Sequence, residues 1–368
     1  MKPADKLPRW AEFGLLPAIN LCAALLISGA VIRLIGESPW AAFKLMAAGA
    51  FGAQDSIGYT LFYATDFVFT GLAVAVAFHA GLFNIGGEGQ AYVGGLGVGL
   101  VCLAFGSCSP WLVIPLAIAS GCAFGAAWAF VPGWLQARRG SHIVITTIMA
   151  NFIASALMTY LLVNVLIKPG QQSPETREFG PGAAMPPVHE LLARIGISFA
   201  PSPFNMASLL ALVACALVWA FLWRTRWGYA LRVVGQNPQA AVYAGISPER
   251  TIMVAMTISG GLAGCLAVNE LMGSQHRILL DFPGGAGFVG IAVALMGRNH
   301  PVGILAASLL FGALYQGGSQ LSFDMPHVNR DMVILIQGLV ILFCGALENV
   351  FRAPLAALLR PRAARPSP

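Results

Sequence analysis

Nine long runs without an Asp, Glu, Lys or Arg constrain this chain more than any other feature of its sequence. They cover residues 14–32, 67–87, 89–137, 140–167, 195–223, 251–269, 282–297, 299–323 and 332–347. A helix needs about 20 predominantly apolar residues to cross the roughly 30 Å hydrocarbon core of a bilayer. Only 10% of the residues are charged, against about 25% in soluble domains. The sequence therefore predicts an all-α polytopic membrane protein.

Turns and charges predict the number and direction of the spans. The run 89–137 is too long for one helix and contains the turn cluster Gly-Ser-Cys-Ser-Pro at 106–110, so it supplies two spans and brings the total to about ten. The segments that would lie inside hold 14 Lys and Arg residues, against 7 outside. Because basic residues accumulate on the cytoplasmic side, we expect an inner-membrane protein with both termini in the cytoplasm.

Two connecting segments are long enough to carry structure of their own. Residues 168–204 form the predicted outer loop, with one amphipathic helix near 188–195. A predicted inner loop contains Asn237 as N-cap, Pro238 at the first helical position and Gly245 as terminator. These three residues together predict a short, capped helix.

Five spans precede the outer loop and five follow it, so the two halves would have opposite orientations. The predicted membrane domain covers residues 1–350, with a first repeat at about 14–167 and a second at about 205–350. A basic cytoplasmic tail follows at 351–368. The predicted architecture is thus two inverted five-helix repeats.

Glycine clusters occupy matching places in the two halves. Residues 86–89 open the third predicted span and residues 284–287 open the eighth, which is short. Paired glycine-interrupted segments of this kind indicate a transport site between repeats. The alternative is close helix packing through small residues.

A few polar residues lie within or beside these spans. Glu88 indicates a functional role, because an ionisable group beside a broken helix is costly without one, although it could instead cap a helix. Asn84 and Asn151 could bond a substrate or bridge helices. Asp66 is expected at the outer rim, as a solvated helix start.

The sequence lacks the motifs of several kinds of active site. None of the four Lys residues follows a Gly, so no Walker A loop is possible. HExxH, a nucleophile elbow and His/Cys clusters are also missing from the sequence. We therefore assign no catalytic and no metal-binding residue, and expect a protein that is not an enzyme and binds no cofactor. The basic residues are scattered between apolar runs, which argues against nucleic acid as a partner.

Four segments carry a resemblance to a known family. They are GLFNIGGEGQ at 81–90, TIMAN at 147–151, VGQNPQAAVYAGI at 234–246 and GFVGIAVALMGRNHP at 287–301. In these segments the chain resembles the permeases of bacterial nucleoside and simple-sugar ABC importers, within the branched-chain amino acid and ribose-type permease superfamily. It departs from the family pattern at Asp66, Ile143 and Val289, which leaves the transported solute open.

The resemblance implies a type II-like ABC importer permease that moves a nucleoside or a simple-sugar-like solute. A separate ABC ATPase subunit would use the ATP and magnesium. A second permease protomer, expected to be a related but different chain, and an extracytoplasmic substrate-binding lipoprotein would complete the importer in the bilayer.

The same resemblance and the glycine breaks select the candidate site residues. The predicted substrate path comprises Phe83, Asn84, Glu88, Gln90, Asn151 and Phe288. The predicted ATPase-coupling residues are Arg232, Gly235, Asn237, Pro238, Ala241, Tyr243, Ala244 and Gly245.

Two other classes of protein remain as alternatives. An ion-coupled secondary transporter can also be built from inverted repeats, but would place ionisable groups at mid-membrane, where Glu88 and Asp66 are the candidates. A membrane enzyme would need a cluster of His, Asp or Glu at one interface.

Overall fold

The structure, a computed structural model, describes residues 15–325 and 330–343, together with positions 8, 11, 354 and 355. Its α-helices are α1 Leu16–Leu34, α2 Pro39–Phe51, α3 Gln54–His79, α4 Gly87–Phe105, α5 Pro110–Arg139, α6 Ile143–Asn164, α7 Val188–Arg194, α8 Ala207–Arg224, α9 Arg226–Gln236, α10 Pro238–Tyr243, α11 Pro248–Gly264, α12 Ala286–Met296, α13 Pro301–Asp324 and α14 Arg330–Ile341. A π-helix, Val268–Gln275, follows α11.

Seven helices within the described residues are long and apolar enough to cross a membrane: α3, α4, α5, α6, α8, α11 with its π-helix, and α13. The pair α1 and α2, bent by 119°, adds an eighth if it counts as one span. The helix α12 is apolar but shorter. The predicted all-α membrane class is therefore confirmed, whereas the count of ten spans stays a prediction. The predicted tail 351–368 lies outside the described residues, apart from positions 354 and 355.

The chain divides into two units. The first comprises residues 1–49 and 314–368, and in it α1 packs on α14. The second comprises residues 50–313 and contains every predicted site residue.

Glycines let the helices of the second unit approach through their backbones. A Cβ on Gly260 of α11 would collide with the carbonyl oxygen of Gly125 in α5, and one on Gly264 would collide with that of Gly121. Small residues at helix contacts are typical of membrane proteins, where close packing replaces the hydrophobic effect. The pair α5 and α11 is accordingly packed backbone to backbone.

The segment 168–206 folds over one end of α4. The predicted helix near 188–195 is confirmed as α7. Arg177 donates from Nη2 to the carbonyl oxygen of Leu103, near the C-terminus of α4, at 2.9 Å. Arg277, just after the π-helix, holds the carboxylates of Glu175 and Glu178 at 3.1 and 3.0 Å. The segment thus caps the ends of α4 and the π-helix together.

Two expectations about the first half of the chain are wrong. The helix α3 starts at Gln54, well before the uncharged run 67–87, and α2 lies between the runs 14–32 and 67–87, where no helix was predicted. Asp66 is consequently in the middle of a 26-residue helix with 2% of its surface exposed, not at a solvated rim. A charge within a helix does not mark its end when another element supplies a partner for it.

Candidate functional site

The chain is non-helical between α3 and α4, and the side chain of Asn84 holds this break in shape. Its Nδ2 donates to Gln90 Oε1 at 2.9 Å and to Ser259 Oγ at 2.8 Å. Its Oδ1 accepts from the backbone nitrogen of Gly86 at 2.8 Å and from Gln90 Nε2 at 3.1 Å. An Asn amide has two donors and two acceptor sites, so Asn84, at 1% exposure, has no free hydrogen-bonding group in this conformation.

Asn151 of α6 also bonds the backbone of this break. Its Oδ1 accepts from the backbone nitrogen of Gly89 at 3.0 Å, and its Nδ2 donates to the carbonyl oxygen of Ile85 at 2.9 Å. The first bond satisfies a backbone donor in the first turn of α4, where no intrahelical partner exists. Asn151 thus bridges α6 to the start of α4.

Glu88 joins the start of α4 to the start of α12. Its two carboxylate oxygens accept from the backbone nitrogens of Gly285 and Gly287, each at 2.8 Å. These nitrogens flank the N-terminus of α12, where free donors and the helix dipole favour a negative charge. The backbones also touch, since a Cβ on Gly287 would collide with the nitrogen of Glu88. The two glycine clusters singled out in the sequence are therefore in direct contact.

The two aromatic candidates differ in exposure. Phe83 is half-buried in the break, whereas Phe288, in the first turn of α12, is 48% exposed. The structure thus links Asn84, Gln90, Asn151 and Glu88 through the break, and leaves the ring of Phe288 open to its surroundings. Whether these residues line a substrate path stays a prediction.

A second polar network lies at mid-helix in α3 and was missed by the sequence reasoning. Asn269 of the π-helix donates from Nδ2 to Asp66 Oδ1 at 3.0 Å and to the carbonyl oxygen of Phe62 at 3.1 Å. Its Oδ1 accepts from Asn205 Nδ2 at 2.9 Å. Glu270 also faces Asp66. The adjacent polar residues 269 and 270 at the end of an apolar run were the available signal.

The predicted capped helix in the inner loop is confirmed as α10. Asn237 Oδ1 accepts from the backbone nitrogens of Gln239 and Ala240 at 3.0 and 3.1 Å, Pro238 occupies the first helical position, and Gly245 has a φ of +75°. Each of these residues plays the structural part that the sequence assigned to it.

The exposed surface of α10 is not formed by alanine side chains alone. Ala241 is fully buried, while Ala240 and the C-cap residue Ala244 are exposed. Val242 is 59% and Tyr243 95% exposed. A partner would therefore meet Val242 and Tyr243, and Ala241 would act through its packing in the protein.

Gly235, at the end of α9 and about one turn after Arg232, touches the connection between α3 and α4. A Cβ on Gly235 would collide with the carbonyl oxygen of His79 and would lie 2.9 Å from the nitrogen of Gly81. Gly81 is only three residues from Asn84. The segment that carries α10 therefore lies directly against the entrance to the break, at the end of α4 opposite the segment 168–206.

Comparison with known proteins extends these observations. The sequence profile of the family described as "Branched-chain amino acid transport system / permease component" matches residues 56–345. The glucose ABC transporter permease protein of Haloferax volcanii is 31% identical over 347 residues, 93% of this chain and 90% of that protein. The guanosine ABC transporter permease protein NupP of Bacillus subtilis is 34% identical over 334 residues, 90% of this chain and 93% of that protein. A further guanosine permease protein of that bacterium, NupQ, is 29% identical over 285 residues, 73% of this chain and 85% of that protein.

Proposed function

This chain belongs to the family of permease components of branched-chain amino acid transport systems, and on that premise we propose that it is the membrane-spanning subunit of an ATP-driven importer. In this function a separate ATPase subunit supplies the energy, because the sequence has no Walker A loop of its own. The ATP and magnesium belong to that partner.

The contact between Gly235 and the α3–α4 connection is the observation that carries this proposal. An importer needs an element that receives force from the ATPase and passes it to the substrate path. The helix α10 is short, capped at both ends and exposed at Tyr243, as a docking element should be. Because Gly235 touches Gly81, a displacement of α10 reaches the break within a few residues.

The ten-span inverted repeat is part of the proposal. The bent pair α1–α2 and the seven long helices give eight spans, and the shorter α12 and α14 would complete ten. The starts of α4 and α12, each preceded by a glycine break, meet at Glu88 as two repeats related by a twofold axis would. We place α10 and both termini in the cytoplasm and the segment 168–206 outside, in line with the distribution of Lys and Arg.

The transported solute is proposed to be a nucleoside or a simple sugar. The relatives are named for guanosine and glucose, which share a hydroxyl-rich ring. Phe288, exposed beside the break, offers a face for a sugar ring or a base, and stacking on an aromatic ring contributes roughly 1–3 kcal/mol per base in nucleic-acid binders.

Two further partners complete the proposed assembly. We propose a second permease protomer that is related but different, since two different guanosine permease proteins of one bacterium both match this chain. An extracytoplasmic receptor lipoprotein would deliver the solute.

Co-purification and uptake test the proposed function. The tagged chain is isolated from its native membranes and its partners are identified by mass spectrometry, then the complex is placed in liposomes with receptor outside and ATP inside. We expect an ABC ATPase to co-purify and uptake of labelled guanosine or glucose to require ATP. Uptake that follows an ion gradient, with no ATPase recovered, would instead establish the ion-coupled carrier.

A further inference from the structure

The contact between the starts of α4 and α12 is formed by one carboxylate and by glycine backbone, and we call this contact the latch. One carboxylate, that of Glu88, accepts both hydrogen bonds from Gly285 and Gly287, and hydrogen bonds to a charged group are about twice as strong as neutral ones. No side chain separates the two backbones, because the residues that meet there are Gly87 and Gly287. The segment just before α12 is also bound to α4 through Tyr92, whose hydroxyl accepts from the backbone nitrogen of Asp281 at 2.7 Å and whose ring packs on Phe282. The bonds of Glu88 are the part of the contact that joins the two helix starts themselves.

The start of α4 is also held as a rigid piece. Asn84 ties the break to Gln90 one turn into α4 and to Ser259 of α11, and Asn151 ties it to α6. Asn84 and Asn151 each bond residues on both sides of Gly87, where α4 begins, so the end of the break and the first turn of α4 would move together. Glu88 lies in the first turn of α4 and would move with it.

A movement of α10 could reach the α3–α4 connection through a backbone contact. Gly235 lies against the carbonyl oxygen of His79 and against Gly81 with no side chain between the backbones. The element that carries α10 is thus in contact with the same short connection that ends at Glu88. Force applied to α10 therefore has a direct route to the latch.

We propose that Glu88 is the residue that keeps the transport path closed between the starts of α4 and α12, and that movement of residues 235–245 releases it. Glu88 is then a positioning residue of the gate and does not bind the solute. The proposal rests on the proposed function, since it takes the path and the ATPase partner from there.

The first test measures leakage. Complete transporters are reconstituted in liposomes preloaded with the labelled solute that the wild type takes up, guanosine or glucose, and efflux is followed without ATP. In Glu88→Gln the carboxylate loses its charge and one of its two acceptor oxygens. We expect ATP-independent efflux to rise roughly ten- to hundredfold, the factor by which one hydrogen bond to a charged group changes an equilibrium.

Two further variants help to interpret this result: the first is a control, and the second disturbs the same contact in another way. Glu178→Gln makes the same chemical change in an exposed side chain that pairs with Arg277, and should leak no more than the wild type. Gly287→Ala keeps Glu88 but adds a methyl group that collides with its backbone nitrogen, so it should leak as Glu88→Gln does. Wild-type tightness of Glu88→Gln at normal protein levels would overturn the proposal.

A second measurement uses the wild-type complex and does not depend on any variant folding. Hydrogen exchange at the amides of Gly285 and Gly287 is compared between the resting complex and the complex trapped with ATP and vanadate. We expect slow exchange at rest and at least tenfold faster exchange in the trapped state, with the amides inside α5 unchanged. Equal protection in both states would show that the latch does not open and would overturn the proposal.

The two failures can be told apart. If the wild-type complex lacks ATP-dependent uptake, the proposed function fails. If it transports normally but Glu88→Gln stays tight or the two amides stay protected, only the role of Glu88 fails.

Discussion

The buried network around Asn269 gives the sharpest prediction about stability. This single amide bonds Asp66 and the carbonyl oxygen of Phe62 through Nδ2, and Asn205 through Oδ1. Asn269→Ala removes all three bonds and leaves the carboxyl of Asp66 and the amide of Asn205 each short of a partner inside the protein. The net charge of the chain is unchanged, so any loss of stability reports on the network.

The size of the loss follows from these three bonds. Hydrogen bonds between helices in a membrane protein contribute about 0.6 kcal/mol on average and up to about 1.7 kcal/mol, so three give about 2 to 5 kcal/mol. The upper half of that range is expected, because removing one partner leaves buried polar groups without a hydrogen bond, which costs more than the bond itself. Asn164→Ala is the matched control: Asn164 is exposed and bonds only the carbonyl oxygen of Tyr160 in its own helix. It should change stability by no more than about 0.5 kcal/mol.

The assay is reversible unfolding of the purified protein in mixed micelles with increasing sodium dodecyl sulfate. Helical circular dichroism gives the free energy of unfolding of each variant. Asn269→Ala should unfold at a clearly lower fraction of dodecyl sulfate than both the wild type and Asn164→Ala. Coincident curves for the two variants would refute a stabilising role for the network.

Three other outcomes are expected. Gly245→Val forces a β-branched residue into a φ of +75°, so it should lower uptake roughly tenfold or more at unchanged protein levels while ATP hydrolysis continues; unchanged uptake would count against docking at α10. Phe288→Ala should change the ranking of transported solutes, whereas Asn84→Ala should lower uptake of all of them in parallel with protein abundance. The opposite pattern would show that Asn84 contacts the solute and that Phe288 is structural. A membrane-impermeant maleimide added from outside should label Glu178→Cys and spare Gln236→Cys, and the reverse result would invert the proposed orientation.

Features that depend on neighbouring residues were predictable from the sequence. The limits of α10 follow from Asn237 and Gly245, because an N-cap and a left-handed terminator act within one turn of helix. The break between α4 and α5 follows in the same way from the turn cluster at 106–110. The apolar spans were predictable because bilayer thickness fixes their length.

Features that depend on residues far apart in the sequence were not predictable from it. The bonds of Glu88 reach residues 197 and 199 positions away, and the bond between Asp66 and Asn269 spans 203 positions. The sequence marked Glu88 as unusual but could not show that its carboxylate caps another helix. For Asp66 the local interpretation failed because it took an ionisable residue as the end of a span, whereas a buried amide from the π-helix donates a hydrogen bond to it.

The same network bears on the choice between an ATP-driven and an ion-coupled transporter. An ion-coupled carrier needs an ionisable group that meets water on each side in turn. Asp66 lies at mid-helix, but it is 2% exposed, accepts a hydrogen bond from Asn269 and faces Glu270, so its partners lie inside the protein. The contacts that the proposed coupling requires are, by contrast, present: α10 carries the exposed Tyr243 and follows Gly235, which lies against Gly81 at the start of the break. A carboxyl that is tied into the packing and a docking helix that is open to a partner together favour energy supplied by another protein over energy supplied by an ion.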